Sequence, residues 1–193
     1  VLPDEEVAAL TSRAALRLSP MWMIIAVYFL FNFSVQITMV HLVSYATDIG
    51  VSSLIAATFV SIIGISSFAG RVIMGTVSDR IGSINAMITC CAVLMAGMVF
   101  LNFARAPWMF YLFAVVFGFS YGGEVPQMPV LIGSFFGLKA ATVLVAIVVF
   151  AAGIGGALGS WMAGRIFDLF GSYYLAFSIT VGACLISLFI LWG

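Results

Sequence analysis

Charge is what this chain has least of. Lys and Arg together number 7, Asp and Glu 7, and charged residues are 7% of the 193, whereas soluble domains carry about 25%. A water-facing surface cannot be built from so few. The formal net charge is zero and no basic patch is present, which excludes a nucleic-acid-binding surface. Cysteine is nearly absent as well. Cys90, Cys91 and Cys184 are odd in number and sit inside apolar runs, which excludes a disulfide framework and leaves them as small packing residues. No grouping of ligand residues points to a metal or a cofactor, and none is expected. Period-two alternation, the mark of barrel strands, is also missing.

What the chain does have is apolar length. Hydrophobic residues make up 64%, gathered into six runs near 20–47, 53–77, 84–104, 107–134, 140–163 and 173–192. A hydrocarbon core of about 30 Å takes roughly 20 apolar residues as a helix. With no alternation, helices are the only viable spanning structures, so the fold class is an all-α transmembrane six-helix bundle over 20–193. Alternating sides place Arg13, Arg17, Arg80 and Lys139 with the N-terminus and Arg105 and Arg165 opposite; the positive-inside rule then puts both termini in the cytoplasm. Trp22, Trp108, Tyr111, Tyr173, Tyr174 and Trp192 fall near span ends, as an aromatic belt requires. Residues 1–19, with Asp4, Glu5 and Glu6 ahead of two arginines, read as a cytoplasmic linker and not as a signal peptide, whose start would be basic.

The turns carry a repeat. Gly75 to Ser83 and Gly164 to Ser172 both fit GxxxDxxGS, three spans apart and therefore on opposite membrane faces. Equivalent places in two three-helix units are the signature of an inverted 3+3 repeat. A chance match in a glycine-rich chain is the competing reading.

Gly70 to Gly82, GRVIMGTVSDRIG, resembles the signature loop of the major facilitator superfamily, and the resemblance extends over the whole chain. It implies half of a twelve-helix transporter, here the C-terminal half with the end of the central loop. Arg71 four residues before Gly75, YGGEVPQMP at Tyr121 to Pro129 and the closing GRIFDLFGSY resemble the bacterial monocarboxylate transporter and oxalate/formate antiporter branches, and so imply the bacterial inner membrane.

A guanidinium within a span costs from about 2.5 kcal/mol upward. Arg71, ~12 Å inside the cytoplasmic end of the second span at 1.5 Å per residue, either snorkels or clamps a carboxylate through its planar fork. The resemblance favours the clamp, since related carriers hold their substrate with an arginine in this helix. Glu124 follows Gly122 and Gly123 and precedes Pro126 and Pro129. The prolines break the helix, and broken helices point to binding sites. Glu124 then pairs with Arg71, takes up a proton, or caps the break. Tyr121, one turn away, is a substrate contact or a plain core tyrosine. Asp48 and His41, seven residues apart and so on one helix face, are further proton-coupling candidates; the simpler readings are a turn residue and a polar residue near the membrane surface. The relatives often carry an acid four residues before the arginine, but that position here is Ser67. Gly75, Asp79, Arg80 and Gly82 read as a gating loop, where side-chain charges meet helix ends. Gly155 and Gly159 form a GxxxG pair that permits close helix approach.

Three spellings are set aside. Gly118 to Gly122 reads GxSxG inside an apolar run where a nucleophile elbow needs a strand-to-helix turn. Asn32-Phe33-Ser34 is a glycosylation sequon within a span, and Gly153-Ile-Gly155 lacks the strand a dinucleotide loop follows. The leading expectation is a non-enzymatic secondary carrier of a small organic anion, a monocarboxylate moved with a proton by alternating access. Its partners are the lipid bilayer, the anion and proton, and an N-terminal six-helix half. An antiporter of the oxalate/formate type is the alternative, although no basic residue follows Lys139 within the fifth run, where those relatives use one. A non-transporting scaffold and an intramembrane hydrolase using Ser120 with His41 are the readings from other classes.

Overall fold

A computed structural model describes residues 12–192; the acidic stretch Asp4 to Glu6 of the expected linker lies outside the described residues. A single helical turn, α1 (Ser12–Ala15), leads into α2 (Ser19–Asp48), α3 (Ser53–Ile81), α4 (Ser83–Asn102), α5 (Pro107–Glu124), α6 (Gln127–Phe136), α7 (Leu138–Phe170) and α8 (Tyr174–Trp192). Six stretches are long and apolar enough to cross a membrane, with α5 and α6 counting together as Pro107–Phe136. No strand occurs among the described residues. The chain is an integral membrane protein.

Local signals set the ends. Pro20 and Pro107 stand in the first turns of α2 and α5, where their missing N–H would have had no helical partner anyway. The Ser52 hydroxyl accepts from the Ile55 N–H at 3.4 Å to start α3. Gly82 closes α3 and Gly171 closes α7, each donating its N–H to the carbonyl four residues back, Ser78 at 2.9 Å and Phe167 at 2.7 Å. Both have positive φ, +83° and +63°, a region that suits glycine alone among ordinary residues. They are the matched glycines of the two GxxxDxxGS segments.

The helix pairs repeat too. The most extensive contacts join α3 to α5 and α2 to α7. Exchanging the first three spans for the last three turns one pair into the other, as an inverted repeat demands. In both crossings a GxxxG pair lets backbones meet. A Cβ on Gly118 would lie 2.5 Å from the Ile63 carbonyl oxygen, and one on Gly122 would overlap that of Ser67. On the other side Gly155 and Gly159 meet the Phe29 and Phe33 carbonyls. The two GxxxG pairs lie on α5 and α7, which are not equivalent members of the repeat, but Gly70 of α3, whose Cβ would overlap the Phe119 carbonyl of α5, holds the place that Gly159 holds in α7. Polar contacts stitch the second crossing. Asn32 Nδ2 donates to the Ala152 carbonyl at 2.8 Å and Ser160 Oγ to that of Gln36 at 3.4 Å.

Tyr28, Phe59, Phe110, Phe113 and Phe117 fill the bundle interior, while Leu54, Ile65, Phe150, Phe189 and Trp192 are exposed. Large apolar side chains on the outside suit lipid as solvent. Cys90, Cys91 and Cys184 are free and buried, as packing residues should be.

Candidate functional site

Arg71 sits two-thirds along α3 and is exposed. One turn before it stand Ser67, buried, and Phe68, 71% exposed, and one turn after it Met74, buried, and Gly75, whose Cβ would approach only Pro126, at 4.0 Å. With no side chain at Gly75, the turn of α3 just beyond Arg71 lies open beside the proline break of the fourth span.

That break opens between α5 and α6. Pro126 has no N–H to offer, so the Val125 N–H reaches the Gly122 carbonyl at 3.4 Å. Gln127, which the sequence reading did not single out, staples the gap: its Nε2 donates to the carbonyls of Gly123 and Met74, both at 3.2 Å. The bond to Met74 ties the break to α3. Ser120, fully buried, donates to the Cys90 carbonyl at 2.7 Å and ties the last turn of α5 to α4. The signal for Gln127 was available, an amide one residue past a helix-breaking proline inside an apolar run.

Glu124 ends α5 and points inward, 8% exposed. Arg71 lies within Coulombic reach of it. The two do not close to a salt bridge, because the one ion pair within 4.0 Å among the described residues joins Arg165 to Asp168. Arg71 thus faces outward from the wall and Glu124 inward. Tyr121 is half-buried and packs on Phe117, ring centroids 6.4 Å apart.

His41 and Asp48 lie elsewhere, at the far end of α2. His41 Nε2 is 3.0 Å from the Ser160 carbonyl of α7, and its ring is 5.1 Å from that of Tyr173. Burial, and after it the Asp48 carboxylate, raise the Tyr173 phenol above its ordinary value, while a hydrogen bond with Ser44 opposes them. Both candidates therefore flank one tyrosine in the turn before α8, at the opposite end of α3 from the gating loop. Ser120 and His41 have separate backbone partners and do not meet, which leaves the hydrolase reading without a nucleophile–base pair. Asp79 and Arg80 are exposed at the end of α3, beside Gly82.

Six membrane-crossing helices paired as an inverted repeat, with an exposed arginine in the second and a buried carboxylate at the break in the fourth, define a polytopic helical membrane protein. Comparison with known proteins gives the family: residues 3–160 match the Major Facilitator Superfamily, and the chain belongs to it. Monocarboxylate transporter 12 of Xenopus laevis is 31% identical over 169 residues, covering 84% of this chain and 36% of that protein. Monocarboxylate transporter 13 of Rattus norvegicus is 29% identical over 160 residues, 82% of this chain and 37% of the relative. The MFS transporter asaE of Aspergillus flavus is 30% identical over 164 residues, again 82% of this chain and 36% of the relative. The chain thus spans little more than a third of the length of these relatives.

Proposed function

We propose that this chain forms one wall of a secondary carrier that moves a small organic anion, a monocarboxylate, together with a proton by alternating access. The observation that carries the reading is Arg71. It is a fixed positive charge within a membrane-crossing helix, exposed, with no ion pair or hydrogen bond among the described residues. A charge there is expensive and marks a substrate or ion path. Its planar fork matches a carboxylate in two parallel hydrogen bonds.

Similarity to two transporters named for monocarboxylates supports that substrate class. Symport is favoured over exchange of two anions, because the basic residues of α7, Lys139 and Arg165, lie near its ends and not beside Arg71. Six helices make one wall, so a second six-helix half supplies the other and completes the site around Arg71 with Tyr121 beside it. Both termini of the described bundle face the cytoplasm by the distribution of arginines, and the membrane is the bacterial inner membrane by resemblance to the bacterial branches.

The test is uptake of a labelled monocarboxylate by the complete carrier in proteoliposomes. Uptake driven by an inward proton gradient and lost in Arg71→Lys supports the reading. Uptake that needs a counter-anion inside would replace symport by antiport, and absence of uptake with any small carboxylate would remove the carrier reading.

A further inference from the structure

A cleft of about 380 Å³ opens between the ends of four helices, away from Arg71 and Glu124. Pro20 and Met23 of α2, Ile84 of α4, Leu131 and Phe135 of α6 and Trp192 of α8 line it, with no charged side chain among the lining. It lies on the side of the bundle where α4 packs on α8, and α8 shares no extensive contact with α3, which carries Arg71. A second six-helix half that closes on Arg71 therefore leaves the cleft facing lipid. Pro20 and Ile84 are the second residues of α2 and α4, and Trp192 is the last of α8. The mouth thus stands at one end of the spans, where indole rings sit at the headgroup boundary.

Charge differs between the two ends of the bundle. Among the described residues Arg13, Arg17, Arg80 and Lys139 gather at this end against one acid, Asp79, whereas Arg105 and Arg165 are matched by Asp48 and Asp168 at the other. Arg17 is exposed three residues before Pro20, and α1, which carries Arg13, packs against α7, whose second residue is Lys139. Neither α2 nor α4 starts with a side-chain cap, and first-turn N–H groups without a helical partner favour an anion. An apolar slot alone accepts any bilayer chain. A slot with a cationic rim selects the lipid by its head, because each basic residue near a membrane surface adds attraction for anionic lipid. A free anion gains nothing from the slot, and a neutral lipid nothing from the rim.

We infer that this cleft is a binding site for an anionic phospholipid, with one acyl chain seated between α2, α4, α6 and α8 and the headgroup phosphate drawn to Arg17 and Arg13. The site is separate from Arg71 and stands whatever solute the carrier moves.

Trp192 is 85% exposed and lines the cleft, so it serves as the reporter, because bromine on an acyl chain quenches an indole that it touches. The complete carrier in phosphatidylcholine bilayers is titrated with phosphatidylglycerol carrying dibrominated chains, or with phosphatidylcholine labelled in the same way. The quenching seen in the wild type and missing from Trp192→Phe belongs to Trp192. Half-quenching should need about fivefold less phosphatidylglycerol than phosphatidylcholine for each arginine that reaches the phosphate. Arg13→Gln combined with Arg17→Gln should bring the two lipids level and leave quenching by phosphatidylcholine as it was. Ile84→Phe, which narrows the slot from its exposed edge, should weaken quenching by both. Equal quenching by the two lipids in the wild type reduces the cleft to ordinary bilayer contact and overturns the site. A Trp192 shielded from both lipids shows the cleft covered by protein, a second copy or the other half, and overturns it as well. Uptake does not enter, so every one of these results is separate from the monocarboxylate reading.

Discussion

At the residue scale the two intramembrane charges behave differently. Arg71 is exposed and bare while Glu124 is enclosed. A snorkelling arginine runs its stem along apolar side chains towards the membrane surface, and in that direction the next turn of α3 offers Gly75 beside a buried Met74. Arg71→Lys retains the charge but loses the two-pronged contact, and it should cost about 1.5 to 3 kcal/mol of anion binding, seen as near loss of uptake with normal membrane insertion. Wild-type uptake kinetics in the variant would return Arg71 to a structural role. Both charges were legible in the sequence, since an ionised group inside an apolar run stands out. Gln127 was legible only through the proline before it, and its two carbonyl partners, on α5 and α3, come only from the packing of the two helices.

At the element scale the two crossings rest on glycine. The sequence disclosed Gly155 and Gly159 as a close-approach pair but not their partner, and it left Gly118 and Gly122 as a discarded hydrolase spelling. The structure gives α7 to α2 and α5 to α3, since pairing between distant helices is encoded in no local pattern. A methyl group at Gly155 would run into the Phe29 carbonyl, while one at Gly153 meets nothing within 4 Å. Gly155→Ala should therefore destabilise the bundle by about 1 to 3 kcal/mol, the usual cost of overpacking, and Gly153→Ala should be neutral or slightly stabilising through helix propensity. Thermal unfolding in detergent separates them; equal midpoints would show that α7 can shift off α2 at little expense. Gly82→Ala is a second check. With φ at +83° it should cost about 1 to 2 kcal/mol, without effect on the crossings.

At the scale of the whole molecule the repeated turns diverge in what they touch. Asp168, in the second GxxxDxxGS segment, is 4.0 Å from Arg165 on an exposed face, a surface pair worth at most about 1 kcal/mol. Its counterpart Asp79 makes no ion pair among the described residues. The proline break was readable in advance as the site where the fourth span opens. The freedom of Asp79 was not, because a pairing motif does not say whether its partner lies in the same bundle. An unpaired acid beside the α3 terminus is available to contacts that form in one carrier state and part in the other. Such contacts shift populations by their difference in energy between states and by nothing else. Asp79→Asn should therefore slow cycling of the complete carrier while leaving equilibrium substrate binding nearly unchanged, and Asp168→Asn should alter neither. Exchange rates in proteoliposomes and substrate affinity by calorimetry give the two quantities separately. Weakened binding with wild-type turnover in Asp79→Asn would assign that turn to the substrate path and leave the gate to be found elsewhere.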